Sequence, residues 1–192
     1  KRMSEDKISE ERSPTQQLIK AIDELVEFVE DRDAEYPYDG VSGQLLSRNR
    51  CLIPLDKEEN LYVSDEWLNR IAIFTKDGEW VGAWGIRGSG DGEFDQPSGI
   101  TFDSEDNLYV VDTGNNRIQR YTKDGKFLGQ WGRQGSGDGE LDMPWGIDTD
   151  SEGNVYVADW RNDRIQKFTG DGQFMMKFGT TGKGEGEFNR PT

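Results

Sequence analysis

Carboxylates are the most abundant side chains in this sequence that could do chemistry, and many of them lie in short acidic turns. The 192 residues include 38 Asp and Glu against 23 Lys and Arg, which gives a net charge of −15. Residues 148–154 have the spacing of oxygen ligands in a calcium loop, but Asp159 stands at the twelfth position, where a bidentate Glu is needed. Because the same acidic residues recur elsewhere in the chain, we interpret these segments as ordinary turns and predict no metal site.

Histidine is absent from the sequence, which narrows the enzymatic possibilities. Its absence removes Ser-His and Cys-His nucleophile pairs and every zinc site that contains histidine. Cys51 is the only cysteine, so an internal disulfide is excluded. The glycine-rich loops that begin at Gly88, Gly135 and Gly182 do not lead from a strand into a helix, as a phosphate-binding loop does. We therefore predict no catalytic residue and no cofactor in this chain.

An Asp–Arg pair with a spacing of five residues occurs three times in the chain. Successive pairs are 47 residues apart: Asp65 with Arg70, Asp112 with Arg117, and Asp159 with Arg164. Self-similarity at a period of about 20 to 50 residues indicates stacked supersecondary units that bury their faces against one another. Because the pair is kept in every copy, we predict that it is structural and closes a loop within each unit.

Each copy of the repeat contains four short strands separated by turns. In the middle copy the strands are predicted at 99–102, 108–111, 117–122 and 126–131, and Asp124-Gly125 suits a hairpin tip. A long glycine-rich connection then leads into the next copy. Four antiparallel strands per unit, with longer loops between units, describe the blade of a β-propeller. The sequence thus predicts an all-β fold of three blades, at 52–98, 99–145 and 146–192.

The repeated motifs resemble those of NHL repeats. The middle copy carries Pro-x-Gly-Ile at 97–100, Asp-x-x-x-Asn-Leu-Tyr-Val-x-Asp at 103–112, Asn-Asn-Arg-Ile-Gln at 115–119, Asp-Gly-x-Phe at 124–127 and Trp-Gly at 131–132. The third copy matches at the corresponding positions. The first copy departs from the pattern, with Leu52, Leu68 and Ala72 in place of the usual Gly, Asn and Gln.

The resemblance to NHL repeats implies a six-bladed propeller that serves as a binding platform for protein or, in some members, RNA. It also leaves enzymatic functions open, because some relatives are lyases or hydrolases, and the zinc-dependent lyases with this blade pattern rely on histidine ligands. Three blades are half of such a ring. Either further blades lie outside this sequence, or the chain self-associates so that two copies complete one ring.

The sequence upstream of the repeats has a different character. Residues 1–12 are charged and are predicted to be disordered, whereas 13–33 begin with Ser13-Pro14 and continue as an amphipathic α-helix. This N-terminal helix packs either on the propeller or on a partner. Residues 34–51 are interpreted as a linker or irregular segment. No apolar run is long enough to span a membrane and no signal-like segment is visible, so a soluble chain of undetermined compartment is expected.

Positions that vary between the copies indicate where a partner binds. The loops after the second and fourth strands of a blade emerge on one face, and there some copies replace Gly, Ser or Thr by large aromatic or Arg side chains. Such side chains are typical of binding hot spots, and we predict this role for Trp67, Arg87, Trp145, Trp160 and Arg161. The alternative is that the three tryptophans pack between neighbouring blades.

These observations favour a non-catalytic binding or scaffold module for a protein partner or a larger assembly. The first alternative is a lyase- or hydrolase-type propeller enzyme whose remaining blades carry the active site. The second is an RNA-binding domain, which the net charge of −15 disfavours because phosphates would be repelled.

Overall fold

The computed structural model describes residues 53–192, and its regular elements are short β-strands joined by tight turns. The first blade contains β1 (Leu61–Asp65), β2 (Arg70–Phe74) and β3 (Trp80–Trp84), followed by a loop with β4 (Ile86–Arg87) and β5 (Glu93–Phe94). The second blade contains β6 (Pro97–Phe102), β7 (Asn107–Asp112), β8 (Arg117–Thr122) and β9 (Phe127–Trp131). The third contains β10 (Pro144–Thr149), β11 (Val155–Asp159), β12 (Arg164–Phe168) and β13 (Phe174–Phe178), followed by β14 (Thr180–Thr181) and β15 (Glu187–Phe188).

Two complete blades are four-stranded antiparallel sheets, in the order β6-β7-β8-β9 and β10-β11-β12-β13. This confirms the all-β fold that the 47-residue repeat predicted. In the first blade the described residues form a three-stranded sheet, β1-β2-β3, and a single bridge between Leu55 and Leu61 lies where a fourth strand is expected. The predictions for residues 1–12, 13–33 and 34–51 fall outside the described part of the chain.

The innermost strands of the second and third blades approach each other closely. At Gly99 in β6, an added Cβ would lie 2.5 Å from the carbonyl oxygen of Trp145 in β10. The first copy has Leu52 at the equivalent position.

Each blade packs on its neighbours through a central strand that is apolar on both faces. In β7, Leu108 and Val110 belong to a buried cluster shared with the first blade, whereas Tyr109 and Val111 belong to a second cluster shared with the third blade. All four side chains are fully buried. A strand buried on both faces reads as a continuous apolar run rather than an alternating one, which is the pattern that Leu108–Val111 has.

The last strands of the first and second blades each contribute a tryptophan to the interface with the next blade. The Trp84 ring lies 4.5 Å from the ring of Tyr121, and the Trp131 ring lies 5.8 Å from that of Phe168. Both indoles pack against a hairpin glycine of the next blade. A Cβ added to Gly125 would lie 3.1 Å from Trp84, and one added to Gly172 would lie 2.5 Å from Trp131. Trp84 and Trp131 thus pack at the interfaces between successive blades.

A tyrosine hydroxyl joins neighbouring blades at the edge of each apolar cluster. The Tyr109 hydroxyl shares its one proton between two acceptors, Asp103 Oδ2 at 3.0 Å and the carbonyl oxygen of Gly170 in the third blade at 3.2 Å. Tyr62 makes the equivalent bond to the carbonyl oxygen of Lys123, at 3.1 Å. Burial, together with the nearby Asp103 carboxylate, raises the pKa of Tyr109 above its ordinary value, so the hydroxyl remains a donor.

The two hairpin glycines of the third blade test how tightly Trp131 is held. Gly172 and Gly153 both have a positive φ, at +88° and +81°, but an added Cβ meets nothing within 4 Å at Gly153. Gly153→Ala is expected to cost about 1–2 kcal/mol from the left-handed backbone alone. Gly172→Ala is expected to cost about 1–3 kcal/mol more, because the methyl group overlaps the Trp131 ring. Denaturant unfolding of both variants measures the difference, and equal losses would contradict this packing.

Candidate partner-binding face

The recurring arginines of the second and third blades each bind the glycine-rich loop of the blade before. Arg117 Nε donates to Asp112 Oδ2 at 2.6 Å within its own blade. Its terminal nitrogens donate to the carbonyl oxygens of Ser89 and Gly90, each at 2.8 Å, and of Glu93 at 3.0 Å. Arg164 repeats this arrangement with Asp159 and with the carbonyl oxygens of Ser136, Gly137 and Glu140. We call this arrangement the blade clasp, and it connects adjacent blades as well as closing a loop.

The aspartate of the clasp is completely buried and accepts several hydrogen bonds. The backbone N–H of Asp95 donates to Asp112 Oδ1 at 2.7 Å. The side-chain amides of Asn115 and Gln119 donate to Asp112 Oδ2 at 2.9 and 3.0 Å. A buried carboxylate requires this many partners because its desolvation is otherwise uncompensated. The recurrence of Asn and Gln beside the Asp–Arg pair follows from this requirement.

The glycine-rich loops are bound from within by their own glutamates. Glu93 Oε2 accepts from the N–H groups of Ser89 and Gly90, at 3.0 and 2.8 Å, and Glu187 does the same for Gly184 at 2.8 Å. The ends of two of these loops pair as short parallel strands, β4 with β5 and β14 with β15, which the sequence did not indicate. A carboxylate therefore occupies the N–H groups that a phosphate would need.

The clasp of the first blade is looser than the other two. Arg70 Nε lies 3.4 Å from Asp65 Oδ2 and, among residues 53–192, has no hydrogen-bond partner. The two side chains are 35% and 28% exposed, whereas Arg117 and Asp112 are at most 9% exposed. Leu68 and Ala72 replace the amide residues that support the aspartate in the other copies. The three Asp–Arg pairs are therefore not equivalent, although their spacing is identical.

The acidic turns use their carboxylates to bind their own backbone. Asp103 Oδ1 accepts from the N–H groups of Glu105 and Asn107, both at 2.9 Å, and Oδ2 accepts from Asn107 Nδ2 and the Tyr109 hydroxyl. Burial opposes ionisation of Asp103, but these hydrogen bonds outweigh it and lower the pKa of the carboxyl group. Within the described part of the chain, no group of three or more His, Cys, Asp or Glu residues is arranged to hold a metal ion.

The predicted partner-binding residues lie at the end of the blades where the clasps are. Trp67 is in the turn between β1 and β2, and Trp160 and Arg161 form a 3-10 turn between β11 and β12. Trp145 follows Pro144, which pairs with Asp159 in the sheet, so Trp145 and Trp160 lie at the same edge. Trp67 is 66% exposed and the Arg87 side chain is 78% exposed. Trp67 and Trp145 belong to neither of the two buried clusters.

Trp160 is flanked by two arginines, one of which the sequence analysis missed. The guanidinium carbon of Arg161 lies 5.9 Å from the Trp160 ring centre, and that of Arg190 lies 4.9 Å away. The Arg190 N–H donates to Asp163 Oδ1 at 2.7 Å, which fixes the backbone beside the ring. The sequence contained a signal for Arg190 as well. Its column of the repeat varies, with Gln96 and Met143 in the other two copies.

Arg87 and Arg161 each lie near an aspartate of a glycine-rich loop. Arg87 Nε is 3.7 Å from Asp95 Oδ1, and Arg161 Nη1 is 3.9 Å from Asp142 Oδ1. Ion pairs this long on an exposed surface contribute little stability. Both guanidinium groups therefore present donors to solvent, on a rigid loop that the clasp holds in place.

The stacked antiparallel blades and the inter-blade clasp define this protein as a β-propeller. Residues 48–130 match the family model described as 6-bladed beta-propeller, and residues 141–168 match the NHL repeat model. The chain thus has a β-propeller fold and contains an NHL repeat. No curated protein matches the chain significantly. None of the helices within residues 53–192 is long and apolar enough to cross a membrane.

Several solved propellers are similar to this chain in fold. A structure of streptogramin B lyase has a TM-score of 0.51 and 17% identity, and the match covers 65% of this chain and 38% of that one. Selenomethionine-substituted virginiamycin B lyase from Staphylococcus aureus gives 0.53 and 20%, with coverages of 68% and 41%. A catalytically inactive form of the same enzyme with quinupristin gives 0.51 and 21%, with coverages of 64% and 39%. The chain spans about two fifths of these proteins, and identity this low shows the fold alone.

Because the clasps differ in burial, we expect the loss of each aspartate to lower the free energy of unfolding by a different amount. Asp112→Ala is expected to lower the free energy of unfolding by about 3–5 kcal/mol, because it leaves the buried Arg117 guanidinium without its counter-charge. Asp65→Ala is expected to cost less than about 1 kcal/mol, because its pair is longer and partly exposed. Urea unfolding monitored by tryptophan fluorescence measures both values. Equal losses in the two variants would contradict the assignment of the clasp.

The hydrogen-bonded acidic turns predict loss of stability in acid. Because folding lowers the pKa of Asp103 below its ordinary value of 3.8, the turn contributes its full stability above pH 3.8. That contribution is lost as the pH falls through the lower, folded-state pKa. Asn107→Ala removes a side-chain donor and is expected to move the Asp103 pKa upward. An NMR titration of the Asp103 carboxyl group that places the wild-type value at or above 3.8 would contradict this account.

Proposed function

We propose that this chain is a non-catalytic binding module that presents one face of the propeller to a protein partner. We call this surface the loop face, and it consists of Trp67, Arg87, Trp145, Trp160, Arg161 and Arg190. The observation that carries the proposal is the position of Trp160 between two arginines, on a turn that follows a buried aspartate. Trp and Arg are the residues most enriched in binding hot spots.

The scaffold beneath the loop face supports this role because it is rigid. The Trp160 turn follows Asp159, which is completely buried and bound by Arg164 at 2.7 Å. The Arg161 N–H donates to the Asp142 carbonyl oxygen at 3.1 Å, so the preceding loop also holds the turn. Side chains held in this way lose little conformational entropy when a partner binds.

The charge of the loop face suggests the chemistry of its partner. The whole chain carries a net charge of −15, whereas this surface presents three arginines, two of which lie over the Trp160 ring. A protein segment with carboxylates for the arginines and apolar side chains for the tryptophans fits this combination. The acidic remainder of the chain repels polyanions, which favours a protein over a nucleic acid.

The loop face is tested by changing its tryptophans and following partner capture. Trp160→Ala and Trp145→Ala are each expected to weaken binding by about 2 kcal/mol, a roughly thirtyfold loss of affinity, with the melting temperature unchanged. The measurement is recovery of proteins from a lysate of the source cells, followed by calorimetry with the purified partner. Nuclease treatment of the lysate distinguishes a protein partner from RNA.

Two control variants match the test positions. Leu128→Ala changes an exposed apolar residue of β9, away from the loop face, and Glu105→Ala changes an acidic turn at the opposite end of the blade. Both are expected to retain the partner. Capture that survives both tryptophan changes, or that disappears together with the fold, would refute the proposal. Capture that is lost on nuclease treatment would favour the RNA alternative.

A further inference from the structure

One column of the repeat holds its backbone in a conformation that disfavours the residues found there. Gln96, Met143 and Arg190 occupy equivalent positions in the three copies, and their φ angles are +55°, +50° and +56°. A positive φ brings the Cβ atom too close to the backbone, and Gly, Asn and Asp are the residues that adopt it routinely. The proline that follows in every copy normally restricts the preceding residue to extended backbone. We call these three positions the left-handed column.

The other repeat columns that combine a positive φ with non-glycine residues carry residue types that suit it, with one exception. The exception is Glu59, and its carboxylate accepts a hydrogen bond from Lys76 Nζ at 2.9 Å. An unfavourable residue type is therefore accompanied there by a side-chain contact. The suitable residues are Asn69, Asn116 and Asp163 in one column, and Asp106 and Gly153 in the column of Glu59.

The main chain of the left-handed column is fixed by a turn of the preceding blade. The Gln96 N–H donates to Asn69 Oδ1 at 2.9 Å, and the Met143 N–H donates to Asn116 Oδ1 at 2.8 Å. Both bonds use main-chain groups that a glycine would also supply. Within residues 53–192 the side-chain amide of Gln96 takes part in no hydrogen bond. The turn therefore forms without the chemistry of these side chains.

Gln96 lies on the loop face at the junction between the first and second blades. Its anchor Asn69 also donates, through Nδ2, to the carbonyl oxygen of Trp67 at 3.2 Å. The Gln96 side chain is exposed although the complete second blade follows it in the chain. Its exposure is therefore a property of an inner junction of the stack.

Met143 lies on the loop face at the junction between the second and third blades. It follows Asp142, whose carbonyl oxygen accepts from the Arg161 N–H at 3.1 Å, and it precedes Pro144 and Trp145. Its side chain is half-buried. Both junctions thus place a strained residue next to residues of the loop face.

We infer that Gln96 and Met143 contact the partner of the loop face, so that one partner spans both junctions. This inference rests on the binding function proposed above, to which it adds two residues and the form of the partner. Residues in unfavourable backbone conformations cluster at binding and active sites, because there the contact outweighs the conformational cost. Glycine at either position would remove that cost and keep the main-chain hydrogen bond.

The two side chains specify an extended peptide segment as the partner. The Gln96 amide has both donors and an acceptor, which match the N–H and C=O groups of a peptide main chain. Met143 offers a flexible apolar side chain that adapts to another apolar side chain. Arg161, held beside Met143, offers donors to a carboxylate. The partner segment therefore carries an apolar residue next to an acidic one.

A linear peptide, selected from a random display library on the wild-type 192-residue chain, is the probe. Gln96→Gly and Met143→Gly are each expected to weaken its binding at least about tenfold. The midpoint of urea unfolding is expected to stay unchanged or to rise, because the relief of strain offsets the greater freedom of glycine in the unfolded chain. Calorimetry with the peptide and urea unfolding measure the two effects separately.

Conservative variants separate the side-chain contact from the backbone conformation. Met143→Leu keeps an apolar side chain at the same φ and is expected to restore most of the affinity that Met143→Gly loses. Gln96→Asn suits a positive φ but is shorter by one methylene group, so it is expected to keep the fold and to weaken binding.

A matched control lies at the opposite end of the same blade. Asp106 has a φ of +61°, and Gly153 in the same column shows that the fold accepts glycine there. Its carboxylate lies 3.8 Å from Lys57 Nζ, an ion pair with a largely exposed lysine. Asp106→Gly is therefore expected to leave the affinity for the peptide unchanged.

The outcomes distinguish this inference from the proposed function. Affinity that falls in Trp145→Ala but not in both glycine variants would overturn the inference and leave the loop face standing. A lowered urea midpoint in both glycine variants would overturn it as well, because the side chains would then serve packing. Selected peptides without adjacent apolar and acidic residues would refute the partner assigned here. A library that yields no binder, or a peptide that Trp145→Ala and Trp160→Ala both bind normally, would refute the loop face and the inference together.

Discussion

The structure depends on two buried arginines, one in the second blade and one in the third. Each donates hydrogen bonds to the glycine-rich loop of the preceding blade. Removing a guanidinium group from water costs several kcal/mol unless its charge and donors are satisfied. Asp112 and the carbonyl oxygens of Ser89, Gly90 and Glu93 satisfy Arg117 together. Because these acceptors belong to two blades, the arginine is fully paired only when the blades are docked in register.

This constraint accounts for most of the residues that recur in every complete copy. Asn115 and Gln119 support the buried aspartate, and Glu93 shapes the loop that supplies the carbonyl oxygens. Apolar burial comes from the central strand, which packs on both neighbours at once. The stability of such an array is approximately a sum over neighbouring units. In the first blade, Leu68 and Ala72 replace the supporting amide residues, and the Asp65–Arg70 pair is correspondingly looser.

Because the clasp fixes the backbone, the residues next to it can differ in type from one copy of the repeat to the next. Trp160 follows directly after the buried Asp159, and Arg190 lies in the loop that leaves the same blade. These residues contribute little to blade packing, so they vary from copy to copy without loss of the fold. We propose that function lies in these varied positions, because a fold by itself does not determine function.

The sequence by itself determined the 47-residue register, the strands of the middle blade and the two-sided burial of Leu108–Val111. These features are local, because strand periodicity and turn chemistry act over a few residues. Only the tertiary structure decided that Arg117 binds a loop 24 to 28 residues upstream, that Trp84 and Trp131 fill the interfaces, and that Arg190 lies over Trp160. The tertiary structure also showed that the Asp65–Arg70 pair is longer and more exposed than the other two Asp–Arg pairs. Such contacts depend on which distant segments pack together in the fold. The identical spacing of the three Asp–Arg pairs does not indicate which segment each pair contacts.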